Sequence, residues 1–353
     1  SVRVGRSYYY DALCQQGVCP KDRLLDIEGT SFSPGVRRLM SRVGASRSFA
    51  LAQEDLQDLA GITVHTKDIE RIAEGVGIQA EEFFQTEHTV EKVRQGTTLY
   101  CSIDGTGVPM VAREVAGRAG KTAGEQAKTR EVKLGCVFSQ TSVDAQGAPV
   151  RDEASTSYVG AIESAEEFGT RIEREMHRRG DTDACTVVLL ADGAPWIWAL
   201  GQDRFPFAHQ VIDLYHAREH YWTVGRMLYS QTPQKMEEWA EARRQELDRG
   251  DVEAVVRALR RLRPRTKEQR EVRDREVAFF TRNRFRMRYQ TFRERGWFVG
   301  SGVLEAGCRT IVSQRLKQSG MHWTVKGANS IIALRCCLLS HRWEDFWEYR
   351  AAA

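Results

Sequence analysis

Along the 353-residue chain the spacing of apolar positions changes from helical to strand-like and back again. Between Phe49 and Phe84 the segments LAQEDLQDLAG and ITVHTKDIERIAEGVG place Ile69, Ile72 and Val76 on one helical stripe. Gly61 marks a break between two helices, and Thr66 is the expected N-cap of the second. Two readings fit this pair. One is a helix-turn-helix with its second helix in a major groove. The other is a small helical packing or dimerisation domain, which Asp68, Glu70 and Glu74 on the second helix favour.

From Thr97 the pattern turns to short runs rich in β-branched and aromatic residues: TTLYCSIDGTGVPM, EVKLGCVFSQTSVD and STSYVGAI. These predict three sequential strands in an antiparallel meander. IESAEEFGTRIEREMHRRG then carries Ile162, Ala165, Phe168, Ile172 and Met176 at helical spacing and stops at Gly180, as an amphipathic crossover helix would. In ACTVVLLADGAPWIW the apolar run from Val187 to Ala191 is that of a strand buried on both faces, and QVIDLYH reads as one more strand entering a helix. The order predicts an α/β fold, a mixed sheet with helices on its faces. MEEWAEARRQELDRGDVEAVVRALRRLRP and its continuation to Arg295 read as an all-helical insertion, and ANSIIALRCCLLSHRWEDFW as a core helix. The expected segments are a helical N-terminal region over 1–95, the first part of the sheet domain over 96–225, the helical insertion over 226–296 and the rest of the sheet domain over 297–353.

Composition narrows the class of protein. No run approaches the ~20 apolar residues that cross a bilayer, and no basic segment followed by an apolar stretch opens the chain. A cytoplasmic protein without a membrane partner is therefore expected. Cys101, Cys136, Cys185, Cys308, Cys336 and Cys337 lie in apolar contexts that suit reduced thiols. Cys14 and Cys19, in CQQGVCP, lack a second nearby pair, so zinc binding by these two is not expected from this sequence.

The net charge of +4 hides an uneven distribution. From Arg257 to Arg295 there are 15 Lys or Arg against 5 Asp or Glu, so this block carries +10 and the remainder −6. Such a block is either a phosphate-binding face or a solvated helical surface. Within it Arg282, Arg284, Arg286 and Arg288 are the candidate phosphate contacts.

Three acids carry the candidate chemistry. Asp104, in SIDGTGVP, and Asp192, in LLADGAPWIW, are both expected at strand ends and followed by Gly. A single Asp-Gly after a strand is usually a turn. Two acids at the same edge of adjacent strands can share a hard cation such as Mg²⁺ or Mn²⁺. Glu305 opens a helix-like segment, GSGVLEAGCRTIVSQRLKQSGMHWT, directly after the basic block. There it shares a helical face with Arg309, so a surface ion pair is the competing account. Neither a phosphate-binding loop nor a nucleophile elbow appears.

SIDGTGVP, LLADGAPWIW and GSGVLEAGCRTIVSQRLKQSGMHWT resemble the three acidic motifs of DDE transposases with a ribonuclease-H-like (retroviral-integrase-like) core, in particular bacterial insertion-sequence transposases of the ISKra type. The resemblance runs from about Asp26 to about Trp347. It implies that Asp104, Asp192 and Glu305 hold two Mg²⁺ or Mn²⁺ ions and that the first acid lies on the first strand, the second after the fourth and the third on a late helix. It also implies double-stranded DNA as partner and a homodimer or higher oligomer on that DNA. The acids are 88 and 113 residues apart, and the longer gap accommodates the insertion, which in such proteins contacts DNA. VIDLYHAREH resembles the Asp-x-x-His element of related groups and makes Asp213 and His216 secondary site residues, with a helix-capping Asp and a part-buried His as the plainer alternative. Arg309 joins them. Arg315, Lys317, His322 and Trp323 are further DNA contacts, although Trp323 also suits a core. A metal-dependent nuclease or resolvase and a DNA-binding descendant that no longer cuts are the alternative functions.

Overall fold

The computed structural model describes residues 3–86, 90–120, 124–184, 186–229 and 231–352; Cys185 lies outside them. The chain opens with a hairpin of β1 (Tyr9–Asp11) and β2 (Gln16–Val18), then α1 (Pro20–Leu24) and three longer helices, α2 (Pro34–Ser46), α3 (Phe49–Ala60) and α4 (Thr66–Thr86). Gly61 does end α3, in the left-handed conformation at φ 62°. Thr66 is the first residue of α4 rather than its cap, because the N–H groups of Asp68 and Ile69 already bond to the His65 carbonyl.

The centre is a mixed α/β arrangement around one five-stranded mixed sheet. Its strands are β3 (Thr98–Pro109), β4 (Thr129–Gln140), β7 (Ser157–Ala161), β8 (Thr186–Ala191) and β9 (His209–Ile212), ordered β7-β4-β3-β8-β9. The short helix α5 (Ala112–Val115) follows β3, and a small hairpin, β5 (Ser142–Val143) with β6 (Pro149–Val150), separates β4 from β7. The predicted meander is β3, β4 and β7, all antiparallel neighbours, while β8 and β9 add in parallel on the far side of β3. The crossover from β7 to β8 is α6 (Ala165–Arg178), started by a capping box between Ser164 and Glu167. α7 (Pro195–Arg204) joins β8 to β9.

Helices cover both faces. On one, α6 presses Ile172 and Phe168 against Gly135 of β4, where an added Cβ would lie 2.5 Å from Ile172, and α7 meets Leu189 of β8 through Gly201. On the other lie α13 (Gly302–Gly307), a π-helical turn (Cys308–Ser313), α14 (Gln314–Leu316) and α15 (Val325–Leu339), with Gly307 against Tyr158 of β7 and the Asn329 amide accepting from Ile162 N–H at 2.8 Å. The last apolar run is two helices, α15 and α16 (Trp343–Ala352), because His341 turns the chain at φ 58°.

The predicted helical insertion is α9 (Pro233–Asp248), α10 (Val252–Arg261), α11 (Lys267–Asn283), a 3₁₀ turn (Arg284–Arg286) and α12 (Tyr289–Glu294), packed against α8 (Leu214–Leu228). The N-terminal helices are not a free module. α4 buries Ile69, Ile72, Ala73, Val76, Gly77, Ala80 and Phe83, and at Gly77 its backbone meets Ser330 of α15 so closely that a Cβ would lie 2.3 Å from the Ser330 carbonyl oxygen. Packing, not an exposed recognition helix, is the arrangement of this pair. Among the described residues no helix is long and apolar enough to cross a membrane.

Candidate functional site

Register aligns the first two acids. β3 and β8 run parallel with Ile103 opposite Ala191 as their last pair, so Asp104 and Asp192 are the next residues on adjacent strands and emerge side by side. β8 and β9 end in the same way, with Ala191 opposite Ile212, so Asp213 continues the row. Contrary to the expected strand end, β3 itself runs on to Pro109 along β4; Asp104 sits where β3 loses its parallel neighbour. Parallel pairing that ends at one level leaves a crevice at the carboxyl side of the strands, a recurrent location for ligands.

Glu305 reaches the crevice from α13. Together Asp104, Asp192, Asp213, His216, Ser301 and Glu305 line a pocket of ≈ 160 Å³ floored by Ile103, Ala191 and Leu304. Asp104 accepts hydrogen bonds from its neighbour's N–H, Gly105, at 2.6 Å and from the Cys308 thiol at 3.4 Å. Burial pushes the Asp104 carboxyl above its ordinary range; the two hydrogen bonds and His216 oppose the rise, and the charge of Asp192 adds to it. Asp192 accepts from Ala194 N–H at 2.9 Å, which closes the turn around Gly193 at φ +104°.

Asp213 is 1% exposed and joins both sides of the pocket. One carboxylate oxygen accepts from His216 N–H at 2.6 Å and caps α8, while the other accepts from Ser301 N–H at the start of the Glu305 helix. The capping reading and the site reading of Asp213 thus describe one residue with two tasks. Arg309 is exposed and, among the described residues, no ion pair joins it to Glu305.

The expected DNA contacts divide into exposed and buried groups. Arg282, Arg284, Arg288 and His322 are exposed, and Lys317 reaches Thr106, two residues past Asp104 on β3, at 2.5 Å. Arg286 is tied down instead, donating to Gln210 at 2.7 Å and Asn283 at 2.9 Å with its guanidinium 4.6 Å from the Trp198 ring. Arg315 departs from expectation altogether, and Trp323 takes the core alternative rather than the DNA contact. Arg315 is 0% exposed, donates to the Gly44 carbonyl at 2.9 Å and lies over Phe49 and Trp323, and burial drives its pKa down to about 10. Trp323 is buried, its ring N–H held by the Leu316 carbonyl and its backbone paired with the end of β3. As placed, neither can meet a phosphate or a base.

Two residues carried no sequence signal, Cys308 at the site and Glu276 linked to it through His220. Cys308 looked like any apolar cysteine, yet its thiol touches the first acid. Glu276 is an acid within the most basic stretch, yet it is 2% exposed and contacts His220. Both contacts span long sequence separations that no local spacing encodes.

The pocket offers carboxylate oxygens, the donors that hard divalent cations take. An ionised Asp104 beside Asp192 is also short of positive charge, which a cation would supply. Among the described residues, however, no three His, Cys, Asp or Glu side chains are gathered closely enough to hold a metal ion as they stand. No protein-family model matches the chain, and no curated protein matches it either.

Proposed function

We propose that this chain is a DNA transposase of the DDE type with a ribonuclease-H-like core, cutting and joining DNA strands at the pocket of Asp104, Asp192 and Glu305. The observation that carries the reading is the parallel register, which sets Asp104 and Asp192 side by side with Glu305 facing them across one crevice. The order of acids supports it: the first on the first strand of the large sheet, the second after the fourth, the third on a late helix.

Asp104, Asp192 and Glu305 are the residues that would hold two Mg²⁺ or Mn²⁺ ions. When bound, such ions activate the attacking hydroxyl and stabilise the leaving oxygen of an in-line displacement. The chain's own residues do the rest. Asp213 sets the Glu305 helix against the sheet by holding Ser301, His216 supplies a ring at the pocket wall, and Cys308 and Gly105 orient the Asp104 carboxylate. Lys317, which donates to Thr106 two residues past Asp104, and exposed Arg282, Arg284 and Arg288 would meet backbone phosphates. A homodimer or higher oligomer would bring two DNA ends together.

A second reading, a DNA-binding descendant that no longer cuts, is favoured by the acids not being drawn into a closed ligand set. One assay separates the two. Labelled duplex carrying the element's ends is incubated with and without Mg²⁺ or Mn²⁺, using wild type and Glu305→Ala. The expected result is metal-dependent nicking and strand joining by the wild type alone, with DNA binding kept by the variant. Binding without cleavage by either protein would overturn the transposase reading, and nicking without joining would assign a nuclease.

A further inference from the structure

α11 belongs to the insertion, yet one of its acids, Glu276, is buried against His220 of α8 rather than turned toward solvent. The Glu276 carboxylate accepts from Arg275 Nε at 2.9 Å and pairs with His220 Nδ1. Burial works to raise its proton affinity, but His220 and Arg275 outweigh burial and hold Glu276 below the usual carboxylate range. The His220 ring lies flat on Phe279, with centroids 3.6 Å apart and planes at 15°. Phe279 in turn fills the space beside Gly193, where an added Cβ would come within 2.8 Å of its ring. The same helix face therefore packs on the Asp192 turn and on His220.

With Nδ1 committed to Glu276, His220 meets its neighbour through the other nitrogen: His220 Nε2 lies 3.3 Å from His216 Nε2. Two ring nitrogens at that distance need one proton between them, so the state of one ring dictates what the other presents. His216 lines the pocket with the acids, its backbone N–H is bound to Asp213, and its Nδ1 lies 3.7 Å from the exposed Glu219.

We propose that the insertion completes the candidate active site, with Glu276 and His220 acting as positioning residues that fix the orientation and tautomer of His216 for the attacking water or 3′-hydroxyl entering beside Asp104. Glu276 accepts the Nδ1 proton of His220, His220 Nε2 accepts the Nε2 proton of His216, and His216 Nδ1 is left without a proton, the edge that can accept a hydrogen bond from a water or 3′-hydroxyl. The role of His216 toward DNA rests on the transposase reading; the linkage of the three side chains does not.

The experiment uses the full chain in two arms. In the first, histidine-¹⁵N-labelled protein is followed by NMR, with ring signals assigned from His216→Ala and His220→Gln. Glu276→Gln is expected to move the ring nitrogens of both His220 and His216, and an unmoved His216 overturns the proposal. In the second, Glu276→Gln and His220→Gln are each expected to lower kcat for nicking about tenfold at unchanged KM for DNA. Combined with His216→Ala, neither is expected to slow the enzyme further, because each acts through that ring. Fully additive losses would overturn the proposal. A wild type that does not cut DNA would sink the transposase reading alone, leaving the NMR arm to decide the linkage.

Discussion

At Asp104, burial and the neighbouring charge of Asp192 disfavour the ionised form that cation binding needs, and the hydrogen bonds from Gly105 and Cys308, together with the nearby His216, only partly compensate. The sign of its pH effect follows. A carboxyl whose folded pKa lies above its unfolded value contributes stability that is fully present below the ordinary Asp range and lost as pH rises through the raised value. At neutral pH ionised Asp104 is therefore a liability to the fold. Asp104→Asn is expected to abolish cleavage yet raise Tm by about 2 °C at neutral pH, with the gain shrinking toward acid pH. Thermal unfolding from acid to neutral pH checks this, and a variant less stable than wild type at neutral pH would contradict it. Such a residue combines a functional charge with a local cost, as sites that trade stability for activity do.

Short elements decide which side chains the site can use. Asp213 binds the N-terminus of α8 with one oxygen and the start of α13 with the other, so it couples β9 to the helix of Glu305. Asp213→Ala is expected to cost about 2 kcal/mol from the lost cap and buried acceptor, and to lower nicking without removing a proposed ligand. Denaturant unfolding and nicking rates together test it. The 3₁₀ turn after α11 sorts the arginines in the same way. Replacing Arg282, Arg284 and Arg288 by Gln is expected to lower duplex affinity and flatten its salt dependence by up to three phosphate contacts. Arg286→Ala should instead leave the salt slope alone and cost about 1 kcal/mol of stability, since that guanidinium serves Gln210, Asn283 and Trp198. Titrations at several salt concentrations separate the two. Alternating Arg residues at 282, 284, 286 and 288 look equivalent in sequence; turn geometry makes one of them structural.

On the scale of the whole molecule, the N-terminal helices and the end of the chain are one packed unit. Arg315 reaches the Gly44 carbonyl, Arg335 reaches the Ala45 carbonyl at 2.6 Å, and α4 lies on α15 at Gly77. Gly77→Ala is expected to cost roughly 3 kcal/mol by driving the helices apart, and to lower the single unfolding transition rather than release the N-terminal helices alone. Calorimetry would show this, and an early separate transition would contradict it. The sequence by itself determined the elements: the β-branched and aromatic run in TTLYCSIDGTGVPM, the buried run before Asp192, the crossover helix stopped at Gly180 and the helical insertion, because each rests on local composition, a local period or a local stop signal. It also singled out Asp104, Asp192 and Glu305, which the fold brings to one pocket. Only the tertiary structure decided that Arg315 and Trp323 are core, that α4 is a packing helix, that Cys308 touches Asp104 and that Glu276 is buried against His220. Burial and partnership across 200 residues follow from how strands align and helices dock, and neighbouring residues do not encode them.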